Sequence, residues 1–292
     1  MTTYDADEPA DPVEGGGLVR LRLDLAYDGT DFSGWAAQPG RRTVEGVLAE
    51  ALAVVLRLPT PPRLTVAGRT DAGVHATGQV AHLDVGTTDG STDDTTPDTT
   101  DPTRLARRLA GVLPDDVAVR HVQVAPAAFD ARFGALGRRY RYRVTDAPPD
   151  PLRRRDTVAW PRPLDVDAMQ RAADGLVGEH DFAAYCRPRP GATTIRTLRV
   201  LDVARDADVV LIRAEADAFC HNQVRSMVGA LLAVGEGRRP THWPRQVLLA
   251  GVRDGGVTVA PAHGLTLVGV DYPPDDMLAE RVTTARARRD QG

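Results

Sequence analysis

Apolar residues alternate with polar ones, or recur in helical steps, along most of this chain, and the two periods mark out its elements. Leu21, Leu23 and Leu25 alternate with Arg20, Arg22 and Asp24, the period of a strand with one buried face. The spacing then changes: Val44, Val47, Leu48, Ala51, Leu52 and Val55 share one side of a helix, and Thr43 stands where an N-capping hydroxyl belongs. Period two returns at 63–67 and 79–85, where Ala81, Leu83 and Val85 fall on one face. A short helix over 103–112 and a strand near 117–124 complete the first half. In the second half, Tyr140, Tyr142 and Val144 alternate with Arg139, Arg141 and Arg143. A helix over 165–177 turns Met169, Ala173 and Leu176 inward, and strands follow near 197–203 and 209–216. The next helix, from about 221 to 234, has Val224, Met227, Val228, Leu231 and Leu232 as its stripe, and a closing strand covers about 265–270. Strands and helices mix without regular βαβ alternation, which predicts an α+β fold rather than a doubly wound sheet.

Three stretches have no period. Residues 1–17 read as a disordered acidic tail, residues 87–102 as a flexible acidic insertion, and residues 275–292 as a frayed end. Between them lie an N-terminal subdomain over 18–126 and a C-terminal one over 127–274. The first two stretches change the meaning of the net charge of -4. They hold ten of the 40 acids and no base, so the remaining 30 acids stand against 36 basic residues, a surplus of six in the body of the chain. All 36 are arginine, which makes planar, bidentate contacts to phosphate and stacks on bases. Clusters at 104/107/108, 138/139/141/143, 153–155 and 238/239 read either as tracks for a nucleic-acid backbone or as solvated faces.

No run of about 18 apolar residues exists, so no membrane span is expected. Nor does the N-terminus have the basic start and apolar run of a secretory signal. Two cysteines, Cys186 and Cys220, are too few for a disulfide framework, and their spacing is not that of a zinc site. A reduced cytoplasm is the expected location.

The chemistry concentrates in residues 67–79, Ala-Gly-Arg-Thr-Asp-Ala-Gly-Val-His-Ala-Thr-Gly-Gln. Small neighbours leave Asp71 unshielded, and Arg69 two residues away favours its ionised form. An Asp in a Gly-rich loop is also an ordinary turn residue. His75 and His82 offer a metal reading with Asp71, but Gly73 and Gly78 break any helix that would align them and no third ligand is adjacent, so no metal is expected. There is no P-loop and no GxGxxG after a strand, so no cofactor is expected.

Further motifs follow in order. They are Tyr27-Asp28-Gly29-Thr30 with Gly34-Trp35 and Gln38, then Phe129-Asp130-Ala131-Arg132-Phe133 leading to Arg138-Arg139-Tyr140-Arg141-Tyr142. Next come Gly178-Glu179-His180-Asp181-Phe182 and Phe219-Cys220-His221-Asn222-Gln223-Val224-Arg225. The last is Ala262-His263-Gly264-Leu265, leading to Val270-Asp271-Tyr272-Pro273. Together with the Asp71 loop, and over about residues 18–273, they resemble the TruA family of tRNA pseudouridine synthases.

That resemblance implies two α/β subdomains whose mixed and antiparallel sheets join into one extended sheet with a central catalytic cleft. It implies a cytoplasmic homodimer that isomerises uridines at positions 38–40 of the tRNA anticodon stem-loop, after flipping the base. Asp71 would be the nucleophile, Arg225 its ion-pair partner, and Tyr140 the ring against the flipped uracil. Arg69 would steady the loop or grip phosphate. Trp35, Tyr27 and Gln38 would shape a loop touching RNA, with core packing of Trp35 the open alternative. The late motif departs from the family pattern at Asn222-Gln223, and Leu109-Ala110 stands where an asparagine is usual. A non-catalytic tRNA-binding or folding factor on the same scaffold is the alternative function, and a metal-dependent hydrolase built on Asp71 and His75 a third.

Overall fold

The protein is described from a computed structural model covering residues 17–86, 101–187 and 193–290. The acidic tail and most of the acidic insertion therefore lie outside the described residues. In chain order the elements are β1 (Leu18–Tyr27), α1 (Val44–Leu56), β2 (Thr65–Val66), β3 (His75–Gly86), α2 (Pro102–Ala110) and β4 (Val117–Ala125). The second half contains β5 (Gly137–Thr145), β6 (Val158–Ala159), α3 (Val166–Asp174), β7 (Gly178–Asp181) and β8 (Ile195–Asp206). It ends with β9 (Val209–Ala216), α4 (Gln223–Gly235), α5 (Trp243–Ala250), β10 (Leu265–Asp271) and α6 (Leu278–Asp290). Thr43 caps α1 as its position suggests, its hydroxyl accepting from Gly46 N at 3.3 Å.

Ten strands form one mixed sheet in the order β4-β1-β3-β10-β5-β9-β8-β7, with β2 on β3 and β6 on β5. The seam is β10. It runs parallel to β3 through Thr266 opposite His75 and Leu267 opposite Ala76. On its other side it runs antiparallel to β5, from Leu265 opposite Tyr142 to Asp271 opposite Gly137. A strand from late in the chain thus joins the two half-sheets, and the Asp71 loop, which leads into β3, arrives at the join.

Each half has its own core. Leu48, Leu52 and Val55 of α1, with Leu105 and Leu109 of α2, cover Leu21, Leu23, Leu25, Leu83 and Val85. Met169 and Ala173 of α3, with Met227, Val228 and Leu231 of α4, cover Tyr142, Val144, Leu201 and Ile212. Each fully buried aliphatic side chain contributes about 1.5–3 kcal/mol relative to exposure. A smaller cluster on the opposite face of β3 joins Val80 to Phe129, Ala131 and Leu278.

Several sequence expectations change here. Residues 275–292 are not simply frayed, because α6 docks on the molecule through Leu278, which is 1% exposed. Two polar contacts add to it: Arg281 donates to Ala135 O at 2.8 Å, and Arg286 meets Asp130 at 3.1 Å. This helix has no apolar stripe to announce it. The insertion read as 87–102 ends earlier, since the Asp101 side chain caps α2 by accepting from Thr103 N and Arg104 N. The strand expected over 63–67 is only Thr65–Val66. Cys186 and Cys220, 34 residues apart, are paired as a disulfide with a Cα–Cα distance of 5.7 Å.

Candidate active site

Residues 67–74 link β2 to β3 and are held from beneath by the first motif. Trp35 N donates to Thr70 O at 3.0 Å, and Gly73 N to Phe32 O at 3.4 Å. Gly34 has φ +93°, and a Cβ there would stand 2.9 Å from Thr70 O, so only glycine lets the two segments lie this close. The Tyr27 hydroxyl shares a 2.8 Å hydrogen bond with Thr70 Oγ1, while Gln79 Nε2 donates to Tyr27 Oη at 3.1 Å and Gly68 O at 2.8 Å. Burial pushes the Tyr27 hydroxyl up to about 12 against the lowering effect of these bonds. Trp35 is 1% exposed, which resolves its open alternative as core packing, and with Tyr27, 4% exposed, it forms the bed under the loop. Gln38 is exposed and turns its amide back on Ser33 O at 3.2 Å.

This bed holds Asp71 in a turn closed by Val74 N on Asp71 O at 3.1 Å. Its carboxylate faces the start of α4. Arg225 Nη1 lies 3.5 Å from Oδ2, and His221 Nε2 lies 3.3 Å from Oδ1. Every residue of α4 except Arg225 is buried, so the helix is a rigid core element with one guanidinium leaving it. That guanidinium is fixed in turn. Arg225 Nε donates to Ala260 O at 2.8 Å, and Ala260 N donates to Arg225 O at 3.0 Å. Segment 258–260 lies that close because residue 229 has no side chain; a Cβ on Gly229 would stand 1.9 Å from Thr258 O.

Helical spacing places the start of this helix at about 221 and gives His221 no role. The helix begins at Gln223, and the left-handed Asn222 (φ 66°, ψ 0°) precedes it. That turn, not helical spacing, brings His221 to the carboxylate. The signal available in the sequence was Asn222 itself, since asparagine tolerates this conformation better than most residues.

Tyr140, in β5, packs edge-on against Phe219 with ring centroids 5.3 Å apart. Burial pushes its hydroxyl above the ordinary tyrosine range, and the Tyr27 hydroxyl and Asp71 carboxylate add to the shift. The other described tyrosines all have a partner for their hydroxyls: Tyr27 with Thr70, Tyr142 with Pro261 O, Tyr185 with Pro244 O and Tyr272 with Ala131 O. Among the described residues the Tyr140 hydroxyl has no hydrogen-bond partner. Asp71, Arg225 and Tyr140 are thus brought to one place, while Arg69 is exposed on the loop with no ion pair among the described residues.

The arginine clusters prove unequal. Arg138 is a half-buried clamp, donating to Ala67 O at 2.7 Å and to Asp217 O and Arg132 O at 2.8 Å, so it steadies the start of the Asp71 loop. Burial lowers its pKa below the usual arginine value. Arg139 pairs with Asp271, Arg155 with Asp28, and Arg238 with Glu236.

Both ring nitrogens of His75 have partners. His263 O, 3.0 Å from Nε2, only accepts, so the ring proton sits on Nε2 and Nδ1 accepts from Gly29 N at 3.0 Å. Asp28 Oδ1 also lies 3.1 Å from Nδ1. Asp28 is itself held near pKa 2: burial works against ionisation, but hydrogen bonds from Thr30 and Arg155 outweigh it. Among the described residues, no group of three or more His, Cys, Asp or Glu side chains is placed to hold a metal ion.

A buried-backed carboxylate facing a fixed guanidinium and an uncommitted tyrosine hydroxyl is a site for nucleophilic or electrostatic work on a neutral substrate. Comparison with known proteins defines the class. A family model described as tRNA pseudouridine synthase matches residues 172–273. The tRNA pseudouridine synthase A of Frankia casuarinae is 64% identical, covering 94% of this chain and 96% of that protein. Those of Streptomyces griseus and Mycobacterium leprae are 55% and 53% identical, covering 92% and 93% of this chain and 94% and 96% of theirs. The chain belongs to the TruA family of tRNA pseudouridine synthases. It is an isomerase that converts uridine to pseudouridine in tRNA, on an α+β fold with a mixed central sheet.

Proposed function

We propose that the chain modifies uridines at positions 38–40 of the anticodon stem-loop, with Asp71 as nucleophile, Arg225 as its fixed counter-charge, and Tyr140 against the flipped base. The single observation that carries this reading is the 3.5 Å approach of Arg225 Nη1 to Asp71 Oδ2, made across 154 residues of sequence. A carboxylate stays charged in a water-poor pocket only when a cation faces it.

The reaction is an isomerisation, so its atoms balance within the nucleoside. The N1–C1′ bond breaks, the freed uracil turns, C5 bonds to C1′, and a proton leaves C5 while N1 gains one. Attack by Asp71 on the base or on C1′, and elimination through a glycal, both begin from the ionised carboxylate. The Tyr140 ring offers a stacking surface, worth about 1–3 kcal/mol per base. Its unpartnered hydroxyl is available to the base at the C5 edge.

The uridine leaves its stack to reach Asp71. Next to the loop, an open cavity of about 500 Å³ is lined by Thr30, Gly73, Arg154, Arg155, Ala262 and His263, a lining suited to the RNA backbone. Exposed Arg69 contacts phosphate in the same reading. The enzyme works in the cytoplasm as a homodimer and without a metal ion. Among the described residues no helix is long and apolar enough to cross a membrane.

The test is to map pseudouridine on unmodified tRNAs that carry uridine at 38, 39 or 40, with no added metal. Product confined to those positions, with a chelator having no effect, supports the reading. Product elsewhere in the tRNA, or none once chelator is present, contradicts it.

A further inference from the structure

The carboxylate of Asp71 has two oxygens, and Arg225 faces only one of them. The other, Oδ1, lies 3.3 Å from His221 Nε2. His221 is exposed, its side chain 42% accessible, and an exposed histidine ordinarily explores several rotamers. Its backbone is not free to follow, because three ties converge on this short segment. Arg187 N donates to His221 O at 2.9 Å. The N–H of the preceding residue, Cys220, donates to Gln223 Oε1 at 3.0 Å. The following residue, Asn222, is in the left-handed conformation. Gln223 is wholly buried, so the turn is pinned to the core of the second half.

We infer that His221 is a positioning residue for Asp71: its Nε2, 3.3 Å from Oδ1, backs the oxygen that Arg225 leaves free. This rests on the reading of Asp71 as the reacting carboxylate. With one donor, the carboxylate can turn about its Cβ–Cγ bond. With a contact on each oxygen its plane is held. The two contacts come from either side of the turn that enters α4, so the carboxylate is aligned from this turn as well as from the loop that carries Asp71.

The test compares His221→Ala, His221→Gln and His221→Phe with wild type and Asp71→Asn. It uses single-turnover pseudouridine formation with saturating enzyme, with tRNA affinity and thermal midpoint measured beside it. A hydrogen bond to a charged group lost in the alanine variant should slow the reaction about 10- to 100-fold. Affinity should change by less than about threefold, the size of a minor contact. Glutamine keeps an N–H donor at similar reach and should recover to within about threefold of wild type; phenylalanine should match alanine.

A wild-type rate for His221→Ala overturns the inference. So does a glutamine variant as slow as alanine, which marks a role in shape or folding, and so does a loss confined to affinity, which marks an RNA contact. The Asp71→Asn arm keeps the two readings apart. If that variant retains the wild-type rate, the assignment of Asp71 fails; if it is inactive while His221→Ala is fully active, only the role of His221 fails.

Discussion

Replacing Arg225 with methionine removes the cation from Asp71 and leaves an apolar stem of similar length in the wall of the site. The magnitude follows from distance and burial. Nη1 and Oδ2 are 3.5 Å apart, and the two side chains are 17% and 29% exposed, so the pair is neither solvated nor dry. At about 4 Å, opposite charges attract by about 1 kcal/mol in bulk water and about 4 kcal/mol at an effective dielectric of 20. If that attraction sustains the reacting carboxylate, its loss slows the chemical step between about 5-fold and about 10³-fold. The upper end applies when the flipped nucleotide displaces water. The same substitution deprives Ala260 O of its donor, at a cost near 1 kcal/mol in stability, which a melting curve separates from the catalytic effect. Lysine is an informative second variant: one ammonium cannot serve Asp71 and Ala260 O together, so Arg225→Lys should fall between wild type and methionine. The assay is single-turnover conversion at saturating enzyme, with tRNA affinity measured separately. A methionine variant that is folded, binds tRNA and reacts at the wild-type rate would refute the ion-pair argument.

Two other substitutions probe the surroundings. Tyr140→Phe removes a hydroxyl with no partner among the described residues, so the thermal midpoint should hold while turnover drops; Tyr142→Phe, which strands Pro261 O, should lower stability by about 1 kcal/mol. Equal melting losses for the two would show that the Tyr140 hydroxyl is structural. Asp28 has a folded-state pKa near 2, below its ordinary value of 3.8, so its contribution is present above about pH 4 and is lost as the pH falls through about 2. Urea titrations of wild type and Asp28→Asn should therefore differ by about 1–2 kcal/mol at pH 7 and converge near pH 2. A gap that stays constant over that range contradicts the assignment.

What the sequence made legible was what local patterning controls. Alternation of Leu21, Leu23 and Leu25 marks a half-buried strand, helical spacing after Thr43 marks a capped helix, and the small residues around Asp71 mark a tight, open loop. What it did not reveal depends on distant partners. Nothing in 265–271 says that this strand lies parallel to β3 and antiparallel to β5, yet that insertion puts the Asp71 loop beside Tyr140. Arg138 reads as one more surface cation, and only the fold shows it half-buried with three carbonyls around it. His221 was hidden because one left-handed residue redirects it. Cys186 and Cys220 are too few for a disulfide framework, and their pairing depends on two loops meeting across 34 residues. Docking of α6 depends on polar contacts that have no period.

The central claim is that Asp71 performs the chemistry and is not needed to hold the RNA. The most direct measurement gives wild type and Asp71→Asn the same unmodified tRNA, reading pseudouridine at single-nucleotide resolution and affinity in the same buffer. The account requires wild type to convert the uridine, and the asparagine variant to bind about as tightly while forming no detectable product. Product from Asp71→Asn at a rate near that of wild type would contradict it.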